Sequence, residues 1–204
     1  MQVVILTNES LKEELLSDIS VAPKDITWIK NISQLKENDT AEVFIDLLFE
    51  KEHTSILQFL PLKLVIVNSV EETLAEINSS FIRINGWPTF LKSPIIEASS
   101  LNDQNKKKTE KIFSLLSKKI EWLPDEIGFI TPRIVSTIIN EAFISLKEGI
   151  STKEEIDIAM KLGTNYPFGP FEWCQKIGEK KIASLLQQLS KENNRYNPAA
   201  LLLK

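Results

Sequence analysis

The chain of 204 residues contains one cysteine, one histidine, two tyrosines, two methionines and only six glycines. A single thiol, Cys174, cannot form an intrachain disulfide and fits a reducing compartment, so a cytoplasmic protein is expected. With no histidine near it in sequence, Cys174 reads as a small buried residue rather than a nucleophile. No metal site is expected. No apolar run approaches the ~20 residues that a bilayer-spanning helix needs, so no membrane partner is expected. Positive charge is not in excess either: 24 Lys and Arg face 28 Asp and Glu, a net charge of -4, which argues against general affinity for nucleic acid. The triplet Lys106, Lys107, Lys108 is offset by Asp103 and Glu110 and reads as a solvated helix start.

What is present is ordinary for a globular protein: 43% hydrophobic and 25% charged residues, in a length that suits one large domain or two small ones. β-rich runs fall at residues 2–6, 26–29, 42–47, 62–67, 81–84, 94–98 and 119–122. Helical patterns lie between them at 11–19, 51–60, 71–77 and 106–117. Strands alternating with helices predict an α/β domain on a parallel sheet of right-handed crossovers. The break at Leu123-Pro124-Asp125 divides the chain into domains 1–124 and 125–204.

The second part reads as three helices in quick succession and then more helix. Thr131-Pro132 offers an N-cap and a first-turn proline, and Ile134, Val135, Ile138, Ile139, Ala142, Phe143 and Leu146 recur at helical spacing up to Gly149. Ser151 to Glu155 holds overlapping capping boxes for a helix that Gly163 closes, and Gly169-Pro170 opens another that Gly178 ends. Residues 179–189 form an apolar-faced helix, and the tail 197–203 reads as one more capped helix, apolar enough to need a partner surface.

The residues Asp125, Gly128, Phe129, Ile130, Arg133, Glu141, Ala142, Glu148, Gly149, Ile156, Asp157, Pro167, Gly169, Pro170, Phe171 and Glu172 stand in the order D-x-x-G-F-I-x-x-R, E-A, E-G, I-D, P-x-G-P-F-E. This resembles the C-terminal domain of 3-hydroxyacyl-CoA dehydrogenases. The resemblance implies a Rossmann-like N-terminal domain that binds NAD and a smaller all-α domain that carries a dimer contact and one wall of an acyl-CoA cleft. A homodimer through the C-terminal helices, an acyl-CoA ligand and a place in fatty-acid metabolism are its further implications.

Against that family pattern the chemical positions differ. The turn after the first strand, Thr7-Asn8-Glu9-Ser10-Leu11, has no glycine, so side chains fill the space where a pyrophosphate would lie and Glu9 adds negative charge. No carboxylate follows the second strand, where Lys30 and Asn31 stand. Thr7, Asn8 and Glu9 therefore replace the glycine loop, and no cofactor is expected, NAD being the one implied if the family activity survives. Glu97 falls at the family's catalytic Glu position, with a solvated or lysine-paired strand-end carboxylate as the plainer alternative. Asn85 falls at the His position, and a carboxamide cannot serve as a base. Asn68 to Glu72 lies where the family has its substrate-binding serine, and Pro132 stands at its asparagine. His53 reads as a surface helix residue. Trp87, Phe90, Phe171 and Trp173 are candidates to line a substrate cleft, with an interdomain core as the plainer reading. The expectation is a family member without ordinary NAD-dependent activity. The alternatives are an active oxidoreductase that uses Glu97 in an altered site, or a non-catalytic acyl-CoA-binding or dimer-partner module.

Overall fold

The computed structural model describes residues 2–21, 23–37, 41–58 and 64–203. The chain divides into two compact units, Met1–Phe129 and Ile130–Lys204.

The first unit carries β1 (Val3–Leu6), α1 (Glu9–Leu15), β2 (Ile26–Ile29), β3 (Val43–Asp46), α2 (His53–Leu57), β4 (Leu64–Asn68), α3 (Leu74–Ile77), β5 (Ile82–Ile84), β6 (Ile95–Ser100), α4 (Lys106–Ser114) and β7 (Lys119–Trp122). The strands form one sheet in the order β2-β1-β3-β4-β5-β6-β7. β1 and most of β3 and β4 are continuous apolar runs because both faces of a parallel sheet are covered. Val3, Ile5, Val43, Ile45 and Ile66 point into a core with Leu11, Leu15, Phe113 and Leu116. Their neighbours Val4, Leu6, Phe44, Val65 and Val67 point into a second core with Leu57, Leu74 and Phe81. This alternation is the period of two that a strand imposes. The expected end of the α2 helix, at 59–60, and the start of the β4 run, at 62–63, lie outside the described residues.

The sheet is parallel as expected at every junction but one: β6 runs antiparallel to β5, with Ile82 opposite Ser100 and Ile84 opposite Ala98. Parallel neighbours need a long crossover, and the link over residues 85–94 contains no helix. The chain instead turns back at once, and the Asn85 N–H donates to the Glu97 carbonyl at 2.9 Å. α4 then supplies a genuine crossover, and β7 lies parallel to β6.

Residues 125–129, just past the expected boundary at Pro124/Asp125, are held by the sheet unit. Arg83 of β5 is fully buried, and its Nε lies 2.5 Å from Asp125 Oδ1. Its other nitrogens donate to the carbonyls of Ser69 and Glu126, and its guanidinium stacks 4.2 Å from the Phe129 ring centre. Asp125 Oδ2 accepts the Leu74 N–H at 2.8 Å, and Gly128, at φ 85°, donates its N–H to Val70 O at 2.7 Å.

The second unit contains α5 (Thr131–Lys147), α6 (Lys153–Thr164), α7 (Pro170–Ile177) and α8 (Glu179–Ser190). The Thr152–Glu155 capping box forms with both of its bonds, and Gly149 takes the left-handed φ of 72° after α5. Three expectations change. Thr131 is not an N-cap but already helical, with Ile130 before it and Pro132 in the first turn, where a missing N–H costs nothing. Gly163 does not close α6, since the left-handed cap is Asn165 at φ 57°. The tail at 197–203 is not a helix but a run ending in turns, because the Asn140 side chain pins it. Asn140 donates to Asn197 O at 2.9 Å and accepts the Ala199 N–H at 2.7 Å, which seats Ala199 and Leu202 in the interior.

Candidate functional site

The chain leaves β1 for β2 on one side and later enters β3 on the other, so the strand order reverses between β1 and β3. In open α/β sheets ligands bind at the carboxyl ends of the strands beside such a reversal. The polar residues at those ends define the candidate site.

At the end of β1, Asn8 caps α1, its Oδ1 accepting the Leu11 N–H at 2.9 Å. Glu9 pairs at 2.9 Å with Lys30, which follows β2, and this exposed pair lowers the Glu9 pKa through hydrogen bonding and charge. The Thr7 N–H donates to Ile29 O at 3.0 Å. Thr7, Asn8 and Glu9 thus form an ordinary capped turn.

At the end of β3 lies an arrangement the sequence reading missed. Asp46, which sits in register with Leu6 of β1, is fully buried, and its Oδ2 lies 2.6 Å from His53 Nδ1. Its Oδ1 accepts the Leu48 N–H at 3.0 Å. Burial pushes the Asp46 carboxyl up to about 6, against the opposing hydrogen bond and charge of His53. His53 is therefore not the surface residue expected: its side chain is 15% exposed and packs edge-on against Phe49. The chain folds back over seven residues from a strand-end carboxylate to the first turn of α2, which brings the imidazole to it.

Asn68, at the end of β4, bridges two neighbouring loops. Its amide donates to Leu47 O at 3.0 Å and Gly86 O at 3.1 Å, while its Oδ1 accepts the Gly86 N–H at 2.9 Å. A Cβ on Gly86 would sit 2.8 Å from Asn68 Cγ, so only glycine allows this approach. Ser69 donates to Glu72, and Pro132 is buried in α5.

The antiparallel turn brings Asn85 and Glu97 together. Asn85 Nδ2 donates to Glu97 Oε2 at 3.0 Å, both side chains are buried, and Asn85 Oδ1 accepts the Trp87 N–H at 3.3 Å. Trp87 is buried and Phe90 half-buried on the same loop. Glu14 of α1 steadies that loop by accepting the Thr89 N–H at 2.8 Å. Phe171 and Trp173 belong to the helical unit. There Trp173 is buried against Tyr166 and Phe168, and Phe171 meets Phe143 edge to face at 5.1 Å.

Arg83 went unread, because an arginine inside a strand carries no periodicity signal, and the Asn68 bonds to Leu47 and Gly86 were likewise not foreseen. Among the described residues no cluster of three His, Cys, Asp or Glu could hold a metal ion, and no helix is long and apolar enough to cross a membrane.

Residues 128–204 match the family model described as 3-hydroxyacyl-CoA dehydrogenase, C-terminal domain. A 3-hydroxybutyryl-CoA dehydrogenase of Clostridioides difficile is 31% identical over 215 residues, an alignment covering 96% of this chain and 73% of that protein. The 3-hydroxyadipyl-CoA dehydrogenase of Escherichia coli K12 is 39% identical over 87 residues, 42% of this chain but only 18% of that enzyme. A 3-hydroxybutyryl-CoA dehydrogenase of Bradyrhizobium diazoefficiens is matched over 42% of its length. The chain thus spans less than half of these last two relatives. Among solved structures, (S)-3-hydroxybutyryl-CoA dehydrogenase PaaH1 from Ralstonia eutropha superposes with a TM-score of 0.72 at 21% identity, covering all of this chain and 84% of that one. At that identity the likeness speaks for the fold.

Proposed function

Since the chain belongs to the 3-hydroxyacyl-CoA dehydrogenase family, we propose that it serves acyl-CoA metabolism as a member without ordinary NAD-dependent hydride transfer. The observation that carries this reading is the buried Asn85–Glu97 pair. Where the family resemblance places a base and the carboxylate that orients it, a carboxamide donates to the carboxylate at 3.0 Å. An amide has no proton equilibrium near neutral pH, and loss of a general base typically costs ~10²–10⁴ in rate. The turn after β1 does not fit a dinucleotide either. Asn8 already takes the N–H of Leu11 that a phosphate would want, and Glu9 sets a carboxylate beside it.

A homodimer through the C-terminal helices is part of the same reading. Among the described residues of α6 only Asp157 is buried, while Ile158 and Leu162 are 52% and 82% exposed. An apolar stripe of that kind suits a second copy. Purified protein given NADH and acetoacetyl-CoA should show no turnover above background, and NADH consumption dependent on enzyme concentration would sink the proposal. Calorimetric titration with acetoacetyl-CoA separates an acyl-CoA binder, which gives a saturable heat, from a dimer partner, which gives none.

A second reading, an active oxidoreductase with an altered site, draws on the His53–Asp46 pair, a histidine held by a buried carboxylate beside the strand-order reversal. Under it, Glu97→Gln or His53→Ala would abolish measurable turnover.

A further inference from the structure

The helical unit carries an open pocket of about 490 Å³ lined by Phe143, Phe171, Lys153, Glu154, Gln175 and Glu179, together with the side chains that cap α7. Its volume lies within the range of small-ligand sites. Phe143 and Phe171 meet at 63° and form an aromatic corner. The Lys153 ammonium sits over both rings, 5.8 Å from the centre of Phe143 and 5.4 Å from that of Phe171. Ring faces attract cations through their quadrupoles, so this corner already holds a positive charge supplied by the chain itself.

The carboxylates around it divide into two sets. Asp157 is fully engaged: its two oxygens accept the N–H groups of Phe171 and Glu172 at 2.8 and 3.1 Å. Glu172 is bound to Lys161 and to the Gly169 N–H. Glu154 and Glu179, by contrast, form no hydrogen bond or ion pair with any other described residue, and both are exposed. Two free carboxylates beside a pair of ring faces suit a planar cation, which stacks on a ring while donating outward from its edge.

We propose that this pocket binds a guanidinium group, for which Lys153 is the resident stand-in that a ligand displaces. The site lies wholly within Ile130–Lys204 and does not depend on the hydride-transfer question. Its cation could come from a free small molecule or from an arginine on a polypeptide, and the test distinguishes the two.

The full-length ¹⁵N-labelled protein is titrated with agmatine, with N-acetyl-arginine N-methylamide, and with the neutral isostere N-acetyl-citrulline N-methylamide, while amide shifts are followed. Saturable shifts with a guanidinium compound and none with the citrulline compound are expected. A blocked arginine that binds more tightly than agmatine marks a polypeptide source, and equal or weaker binding marks a free cation. Glu154→Gln combined with Glu179→Gln, both on the surface, should weaken binding ~tenfold, and Phe171→Leu ~threefold. Lys153→Met discriminates best: with the competing ammonium gone, affinity should rise ~fivefold. Equal binding of the citrulline compound, no saturable shift with either cation, or unchanged or weaker binding to the Lys153→Met protein would overturn the assignment.

Discussion

Replacing Asp46 by Asn should make the protein more stable at neutral pH, and by an amount that depends on pH in a defined way. The Asp46 carboxyl is raised to about 6 from an ordinary 3.8, chiefly by burial. The native state therefore holds its proton to higher pH than the unfolded chain does. The stabilisation linked to that proton is complete below pH 3.8, is lost as the pH climbs towards about 6, and stays lost above it. At ~1.36 kcal/mol per pH unit, the gap between about 6 and 3.8 amounts to ~3 kcal/mol. The side chain is fully buried, so solvent screening takes little from this figure. Asparagine keeps an oxygen for the Leu48 N–H and can offer its amide to His53 Nδ1, but it has no proton to lose. Glu76 and Glu172, whose pKa values their hydrogen bonds lower, drift the other way and cancel between variant and wild type. Urea unfolding of both proteins at pH 4, 5, 6 and 7 should show the difference growing by ~2.4 kcal/mol in favour of Asp46→Asn, the rest of the ~3 kcal/mol being lost already by pH 4. Two parallel stability curves would refute the account, since Asp46 would then titrate alike in the native and unfolded chains.

Arg83→Met should cost ~3–5 kcal/mol in urea unfolding, since it strands Asp125 without its buried partner, and amide exchange at Leu74 and Gly128 should quicken as residues 125–129 come loose. Gly86→Ala should cost ~2–3 kcal/mol, because its Cβ drives Asn68 from three hydrogen bonds, and a cycle with Asn68→Ala should be strongly non-additive. Thr152→Ala removes the α6 N-cap, and a loss of ~1 kcal/mol in thermal or urea unfolding is expected.

The parts of the fold legible in the sequence are those that repetition encodes. Val3 to Leu6, Val43 to Ile45 and Val65 to Val67 are apolar runs too short for helices, and they became the buried middle of the sheet. The apolar spacing of α5 and the Thr152–Glu155 box of α6 likewise fixed helices at their observed places. What stayed hidden depends on partners far apart in the chain. Nothing around Arg83 announces Asp125, 42 residues on, yet that bond carries residues 125–129 into the sheet unit. Asn140 is one polar residue on an apolar helix, and only the fold shows that it grips the backbone near residue 198 and prevents the tail from forming its own helix. His53 looked solvated because its neighbours Glu52 and Ser55 are, and the carboxylate that claims it lies seven residues back at a strand end. The reversed β6 was concealed for a different reason. An apolar run gives no direction, and only the absence of a crossover helix between Ile84 and Ile95 sets it.

At the carboxyl edge of the sheet several polar side chains bond to neighbouring groups of the protein. Asn8 serves Leu11, Asp46 serves His53 and Leu48, Asn68 serves Leu47 and Gly86, Arg83 serves Asp125 and Glu126, and Asn85 serves Glu97 and Trp87. An edge sewn to itself in this way holds the strands together, which is why its substitutions are expected to register in stability before any other property. The second nitrogen of His53 is the exception. Its Nδ1 is committed to Asp46, while Nε2 makes no hydrogen bond to another described residue. In the reading that keeps an active site, proton transfer at this edge falls to His53 rather than Asn85, and a loss of activity in His53→Ala with Asn85→Ala unaffected would be its signature.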